Sequence, residues 1–182
     1  MMLLVMYDQP RAALAAAEAA RGVLGAVMAM PIEATFYMFE ALAIAAEART
    51  QGPEQREAAR ARMQDHLDRL ALWARHCPDN FAHKHLMVRA EASWLADDVV
   101  AAEALYDEAI VSAREHGFEH QEALASELCG RFYAARGRGV IVPVYLRAAQ
   151  DGYLRWGALA KAAEVGRRLP PVFQDREELA AS

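Results

Sequence analysis

The sequence predicts an all-α protein, an α–α superhelix built from stacked helical hairpins. Apolar residues make up 55% of the 182 residues, largely because alanine is abundant. Alanine has the highest helix propensity and lets helices pack closely. Few segments are rich in β-branched residues, and apolar residues recur at three- and four-residue spacing along most of the chain. The length fits one domain with a substantial core.

The first two predicted helices are Pro10–Met28 and the segment that begins at Pro31. Asp8 is the expected N-cap of the first helix, and Pro10 suits its first turn. The second segment reads PIEATFYMFEALAIAAEA. It is apolar on most sides, so we expect it to be deeply buried. The sequence TQGP then ends the helical pattern.

The next predicted helix, Glu54–Arg75, carries much of the charge. Met63, Leu67 and Leu70 form one apolar stripe on it, which is typical of a surface helix. Pro143 lies in a run that could be an edge strand, but helical spacing continues beyond it and favours a helix with Pro143 in its first turn. The remaining predicted helices are Phe81–Leu95, Val99–Glu115, Glu119–Arg136, Val140–Trp156 and Ala158–Arg168.

A repeat relates three of these helices. The spacing from Leu67 to Tyr106 equals the spacing from Tyr106 to Tyr145, and small or apolar residues flank each position. Ala102, Tyr106 and Ala109 form the small-x3-aromatic-x2-small pattern of the second helix of a tetratricopeptide (TPR) repeat. The small side chains allow close helix approach and the ring fills the space between hairpins. We therefore expect about four TPR-like hairpins with incomplete ends.

Three blocks of sequence carry a resemblance to a known family. They read WARHCPDNFAHKHLMVRAEASWL, AEALYDEAIVSAREHGFEHQEALASELCGRFYAARG and YLRAAQDGYLRWGALAKAAE. Together they resemble the end of the helical-repeat region of large bacterial multi-sensor signalling kinases. Those proteins join a serine/threonine-kinase-like module, an AAA-type ATPase, helical repeats, a GAF domain and often a histidine kinase. The resemblance covers residues 1–168, the predicted repeat domain, and leaves a weakly helical tail at 169–182.

The catalytic motifs of such kinases do not occur in this sequence, which has no GxxxxGK[ST], VAIK, HRD or DFG. We therefore expect a non-catalytic module without a cofactor. The resemblance implies a protein–protein interaction or signal-relay role, in or derived from a multidomain signalling kinase. The implied partners are proteins or peptides, including neighbouring ATPase, GAF and kinase modules. The alternative is a sensor that holds a small-molecule effector in the superhelix lumen.

The repeat register predicts which residues line the inner wall of the superhelix. Concave solenoid surfaces commonly bind peptides or partner domains, and aromatic residues are favoured anchors. Trp94 and Tyr133 could instead pack between hairpins. An apolar pocket near these two residues would favour an effector, whereas an open polar groove would favour a peptide. The candidate binding residues are Lys84, Met87, Glu91, Trp94, Ser126 and Tyr133.

The stretch HCPDNFAHKH, residues 76–85, has the composition of a small metal or nucleophilic site. His83 and His85, however, are two residues apart on a predicted helix and point to different sides, so they cannot share an ion. Asp79 or Asn80 is a natural N-cap for that helix. We therefore interpret the stretch as a junction between two helices, with no metal bound.

Two further patterns are interpreted as turns. His116 and His120 have metal-ligand spacing, but Gly117 is expected to end a helix between them. The sequence RGRG at 136–139 lacks the lysine and the preceding strand of a phosphate-binding loop, so an inter-helix turn is favoured. Neither pattern predicts a site.

Charge and length exclude several classes of protein. The net charge of −5 argues against a nucleic-acid binder. The opening MMLLVMY is shorter than the roughly 20 residues of a membrane span. With no targeting signal, we expect a cytoplasmic protein with Cys77 and Cys129 reduced. Incomplete repeats expose apolar faces, so a homodimer through MMLLVMY or the last helix is possible.

Overall fold

The all-α prediction is confirmed. The structure, a computed structural model, describes residues 1–22, 24 and 31–170, and these residues form helices and turns without a strand. None of the helices in this part of the chain has the length and apolar character that a membrane crossing needs. The helices are α1 (Met2–Met6), α2 (Pro10–Arg21), α3 (Pro31–Ala48), α4 (Pro53–His76), α5 (Pro78–Leu95), α6 (Val99–Glu115), α7 (Glu119–Ala135), α8 (Val142–Arg155) and α9 (Leu159–Gly166).

Several helix ends lie where the sequence predicts them. Helix α6 has the predicted bounds, and Pro143 lies in the first turn of α8. Gly117 follows α6 with a φ of 75°, a left-handed conformation that glycine adopts at little cost. The N–H of Phe118 donates to the carbonyl of Ala113 at 2.9 Å and so satisfies one of the last carbonyls of α6. The predicted glycine cap is confirmed.

The predicted N-cap at Asp8 is wrong. The segment MMLLVMY forms its own short helix, α1, and the chain reverses at Asp8, whose φ is 55°. Gln9 therefore becomes the residue before α2 and makes no side-chain cap. Helix α2 ends at Arg21, and the end predicted at Met28 lies outside the described residues.

The predicted cap of α5 is also wrong. Helix α5 begins at Pro78 rather than Phe81, so Cys77 takes the N-cap position and makes no side-chain cap. Proline suits the first helical position because it has no N–H to leave unsatisfied there. Asp79 and Asn80 therefore lie inside the first turn, where the side-chain amide of Asn80 donates to Cys77 Sγ at 3.2 Å.

The chain divides into two compact units, of which the first is Met1–Ser112. Within it α3 packs against α2, α4 and α5, and α4 also packs against α5. Contact of α3 with both α4 and α5 is the arrangement of stacked hairpins, in which each first helix touches its own partner and the next first helix. Twelve of the 18 residues of α3 are buried, as its apolar sequence predicts.

The second unit is Ala113–Ser182, described to residue 170. Helix α8 packs between α7 and α9 in this unit. All residues from Gln121 to Gly130 of α7 are buried. The two helices approach most closely at Gly152, where an added Cβ would lie 2.8 Å from the Cβ of Ala123 and 3.3 Å from its Cα. A glycine here lets α8 cross α7 at backbone contact distance.

The repeat register predicted for the third hairpin is wrong. Tyr106 is buried as predicted, but Tyr145 is only half-buried and stacks on Tyr133 at a centroid distance of 5.3 Å. The fully buried tyrosine of α8 is Tyr153, which donates to a carboxylate of Glu127 on α7. The partner on the first helix, rather than a constant spacing, decides which tyrosine turns inward.

Gly152→Ala is expected to destabilise the protein by about 1–2 kcal/mol, because the new methyl group meets Ala123 and its backbone, which cannot move aside. Gly166→Ala is the matched control. An added Cβ there meets only the side-chain amide of Gln150, which can rotate away. Urea denaturation measures both free energies of unfolding, and equal values for the two variants would contradict the close crossing of α7 and α8.

Candidate functional site

Four of the six predicted binding residues have buried side chains. Met87, Glu91 and Ser126 are almost completely buried, and Lys84 is exposed by only 5%. Trp94 and Tyr133 are half-buried. The binding role of these six residues stays a prediction, and the contacts that hold them define the interior of each unit.

Glu91 lies at the meeting point of three helices in the first unit. The hydroxyl of Tyr106 on α6 donates to Glu91 Oε1 at 2.9 Å. Arg49, the residue after α3, forms an ion pair with Glu91 Oε2. The same guanidinium lies 4.6 Å from the ring centroid of Trp94, close enough for a cation–π contact. One carboxylate on α5 thus joins the end of α3 to α6.

Glu127 has the same position in the second unit and a larger set of partners. Tyr153 on α8 donates to Oε2 at 2.9 Å, and Lys161 on α9 donates to Oε1 at 2.9 Å. Arg131 and Arg168 each reach Oε1 at 2.7 Å. The fully buried carboxylate therefore connects α7, α8 and α9.

Charge and burial act in opposite directions on this cluster. Burial would raise the pKa of Glu127, but the charges and hydrogen bonds of Arg131 and Lys161 outweigh it and lower the pKa. The pKa of Tyr153 is raised well above its usual value by burial and then by the negative charge of Glu127. Glu127 is therefore an ionised acceptor, and Tyr153 keeps its proton to donate to it.

A third buried glutamate, Glu40 on α3, completes the pattern. The imidazole of His66 on α4 lies 2.9 Å from Glu40 Oε2, and Arg21 at the end of α2 pairs with Oε1. Burial would raise the pKa of Glu40, but the hydrogen bond and charge of His66, together with Arg21, lower it. Each complete hairpin thus has on its first helix one glutamate that is at most 2% exposed. That glutamate bonds to the second helix and to a cation near or on a third.

Helical spacing alone does not predict this pattern of buried glutamates. Glu40 and Glu127 were not singled out, and Glu91 was assigned to the inner wall. A signal was present, because Glu40 and Glu127 each lie within an apolar run, FYMFEALAIAA and ALASELC. A carboxylate in such a run must be buried with a partner or destabilise the fold. The three glutamates are paired structural groups, and with these partners they form no nucleophile–base pair.

The histidines of the 76–85 stretch lie in different surroundings. His83 is fully buried with Nε2 3.0 Å from Lys84 Nζ, whereas His85 is half-buried. Burial, and then the charge of Arg89, lowers the pKa of His85.

The ring of His120 stacks on that of Trp156 at a centroid distance of 5.0 Å, beyond the end of α6. Within residues 1–22, 24 and 31–170, no three His, Cys, Asp or Glu side chains are grouped to hold a metal ion.

The second unit also has an open cleft of about 540 Å³ where the turn before α7 meets α8. Glu122 is one of its lining residues and pairs with Arg114 at 2.8 Å and Arg155 at 3.4 Å. Glu119 and Asp151 are exposed carboxylates that form no ion pair with any described residue. The lining residues are Arg114, Gly117, Glu119, Glu122, Ala148, Asp151 and Arg155.

Lys84, near the start of α5, is a buried cation that is only 5% exposed. Its Nζ donates to the carbonyl of Asn80 at 2.9 Å and lies 5.7 Å from the ring centroid of Phe81. Burial lowers the pKa of Lys84 to about 8. In the unfolded chain the pKa returns to about 10.4. The folded protein therefore binds the Lys84 proton less tightly than the unfolded protein does.

Lys84→Met is expected to stabilise the protein at pH 7 by about 1–2 kcal/mol, because it removes a charge that burial disfavours. Below pH 8 Lys84 is protonated in both states, so the gain is complete there. Between pH 8 and the unfolded pKa only the unfolded state holds the proton, so the wild type becomes more stable and the gain shrinks. Urea denaturation across this pH range measures the difference.

Arg89→Met, on the exposed side of the same helix, is the matched control and should show no such pH dependence. A gain for Lys84→Met that stays constant from pH 7 to pH 10 would contradict the burial of a charged amine.

Comparison with protein-family models finds a match to CHK1-like TPR repeats over residues 17–137, more than half of the chain. No curated protein and no solved structure gives a significant match. TPR repeats are generally non-catalytic modules that mediate protein–protein interactions. The matched residues include the complete hairpins α3–α4 and α5–α6 and the first helix of the third. The chain belongs to the family of CHK1-like TPR repeats.

Proposed function

We propose that this chain is a non-catalytic interaction and signal-relay module that is part of, or derived from, a multidomain bacterial signalling kinase. Its partners in this proposal are the ATPase, GAF or kinase modules of that protein. The sequence resemblance supplies the context, and family membership supplies the interaction role. The relay role rests on the buried glutamates.

The observation that carries the relay role is that one carboxylate holds three chain segments in each hairpin. A helix in the second unit cannot shift without disturbing the bonds of Glu127 to Tyr153 and Lys161. Breaking a buried, paired charge costs several kcal/mol. Displacement at one helix is therefore passed to its neighbours within the unit, which is what a relay of binding or strain needs.

The cleft beside α7 supports a protein or peptide as the ligand. Its lining is charged and open, and Glu119 and Asp151 have no ion-pair partner among the described residues. Such carboxylates can pair with lysine or arginine of a partner module. An apolar effector, the alternative ligand, would meet five charged side chains there. Trp94 and Tyr133 remain the proposed aromatic anchors elsewhere on the chain.

Two finer features belong to the same proposal. We place the module in the cytoplasm, where the kinase modules would be. We also propose that the chain forms a homodimer through its terminal helices, because Leu3 on α1 is 60% exposed and Leu159 on α9 is 67% exposed.

The proposal predicts that the purified chain binds at least one ATPase, GAF or kinase module encoded in the same reading frame or beside it. Titration calorimetry measures the affinity. Charge reversal of the cleft by Glu119→Lys with Asp151→Lys should weaken that binding at least tenfold, because two attractive contacts become repulsive.

The matched control is Glu54→Lys with Asp65→Lys, which makes the same charge change at exposed carboxylates of α4. This control should leave the affinity within about twofold. Absence of binding by every module, together with unchanged signalling after deletion of the chain, would refute the interaction role. Equal weakening of binding by both double variants would show that the cleft has no specific part in the interaction.

A further inference from the structure

One end of the α7–α8 hairpin differs in charge from the rest of the chain. Residues 131–147 include four arginines and no aspartate or glutamate, although the whole chain has a net charge of −5. The turn between the two helices begins at Arg136, and every residue from Ala134 to Val140 is exposed. We call the turn from Arg136 to Ile141, together with Tyr133, Val144 and Tyr145, the basic edge.

Two arginines of the basic edge have no carboxylate partner. Arg136 and Arg138 form no ion pair with any described residue. The guanidinium of Arg136 lies 5.9 Å from the ring centroid of Phe132, which orients it without neutralising it. Arg11, by contrast, pairs with Glu47 at 2.9 Å. The positive charge of this edge is therefore available to a ligand.

The basic edge also exposes apolar side chains. Val140 is 96% exposed and Val144 is 64% exposed. The rings of Tyr133 on α7 and Tyr145 on α8 stack with an interplanar angle of 24° and are half-buried. Helix α8 begins here without an acidic residue or a side-chain cap in its first turn, so its dipole adds to the positive potential. The surface thus combines positive charge with apolar contact area.

We propose that the basic edge docks an acidic peptide segment of a partner protein, in which aspartate or glutamate alternates with aliphatic residues. The carboxylates would pair with Arg136 and Arg138, and the aliphatic side chains would cover Val140, Val144 and the stacked tyrosines. This inference deepens the proposed interaction role and rests on it.

A peptide fits these observations better than a nucleic acid or a membrane. The edge offers two uncommitted arginines, whereas stable binding of a polyanion draws on a larger set of cations. The net negative charge of the chain also repels an extended polyanion. Val140 and Val144 present a narrow apolar strip that matches alternate side chains of an extended peptide.

Fluorescence anisotropy of a short labelled peptide, in which aspartate and glutamate alternate with leucine and valine, tests the inference on the full chain. We expect saturable binding that a peptide with asparagine and glutamine in place of the acids does not show. Arg136→Gln with Arg138→Gln should weaken binding about tenfold, because two charge-assisted contacts are lost. Val140→Ser with Val144→Ser should weaken it about threefold, because apolar contact is lost.

The matched control is Arg11→Gln with Arg60→Gln, which removes the same charge from two arginines that have ion-pair partners of their own. This control should bind the peptide as the wild type does. Thermal unfolding verifies that each variant is folded. Equal weakening by both arginine pairs would overturn the inference, because the attraction would then be non-specific.

Three other outcomes would also overturn it. Tighter binding to a single-stranded oligonucleotide or to anionic vesicles would assign the edge to those ligands. Tighter peptide binding after neutralisation of Asp175, Glu177 and Glu178, which lie outside the described residues, would make the chain's own tail the occupant. No peptide binding at all would refute the acidic partner. If a kinase module still bound through the cleft, the proposed function would stand even though the inference about the basic edge had failed.

Discussion

A buried carboxylate must have partners, and in this chain that requirement organises each unit. Glu40, Glu91 and Glu127 are each within 2% of complete burial and lie on the first helix of a hairpin. An isolated charge at such depth would destabilise the fold strongly, so folding brings a donor from the second helix and a cation from elsewhere in the unit. The choice of Tyr153 over Tyr145 as the inward tyrosine of α8 follows from this requirement, and so does the docking of α9 through Lys161.

The buried glutamates are paired, whereas exposed charges without an ion-pair partner among the described residues include two sets at opposite ends of the α7–α8 hairpin. Glu119 and Asp151 lie at one end, and Arg136 and Arg138 lie about 25 Å away at the other, given the rise of the 17-residue α7. In the proposed relay role, these two ends of opposite charge would each bind a different partner.

Periodicity predicts the helices because an apolar stripe at helical spacing depends on the local sequence alone. The burial of α3, the bounds of α6 and the glycine cap at Gly117 are all of this kind. The N-caps at α2 and α5 and the register of α8 depend on how neighbouring segments pack, so spacing predicted them wrongly. Of the six candidate binding residues, four are buried, since their orientation depends on contacts such as that of Glu91 with Tyr106. A glutamate within an apolar run was the sequence signal for those contacts.

The most direct test of the central claim is the free energy of unfolding of three tyrosine-to-phenylalanine variants, measured by urea denaturation. Tyr106→Phe and Tyr153→Phe each remove one hydrogen bond to a buried glutamate, and each should cost about 1–2 kcal/mol. Tyr37→Phe is the control, since the Tyr37 ring packs against His66 and Trp73 while its hydroxyl has no hydrogen-bond partner among the described residues. It should change stability by less than about 0.5 kcal/mol. Equal effects in all three variants, or no effect in Tyr106→Phe and Tyr153→Phe, would contradict the claim that buried glutamates hold the hairpins together.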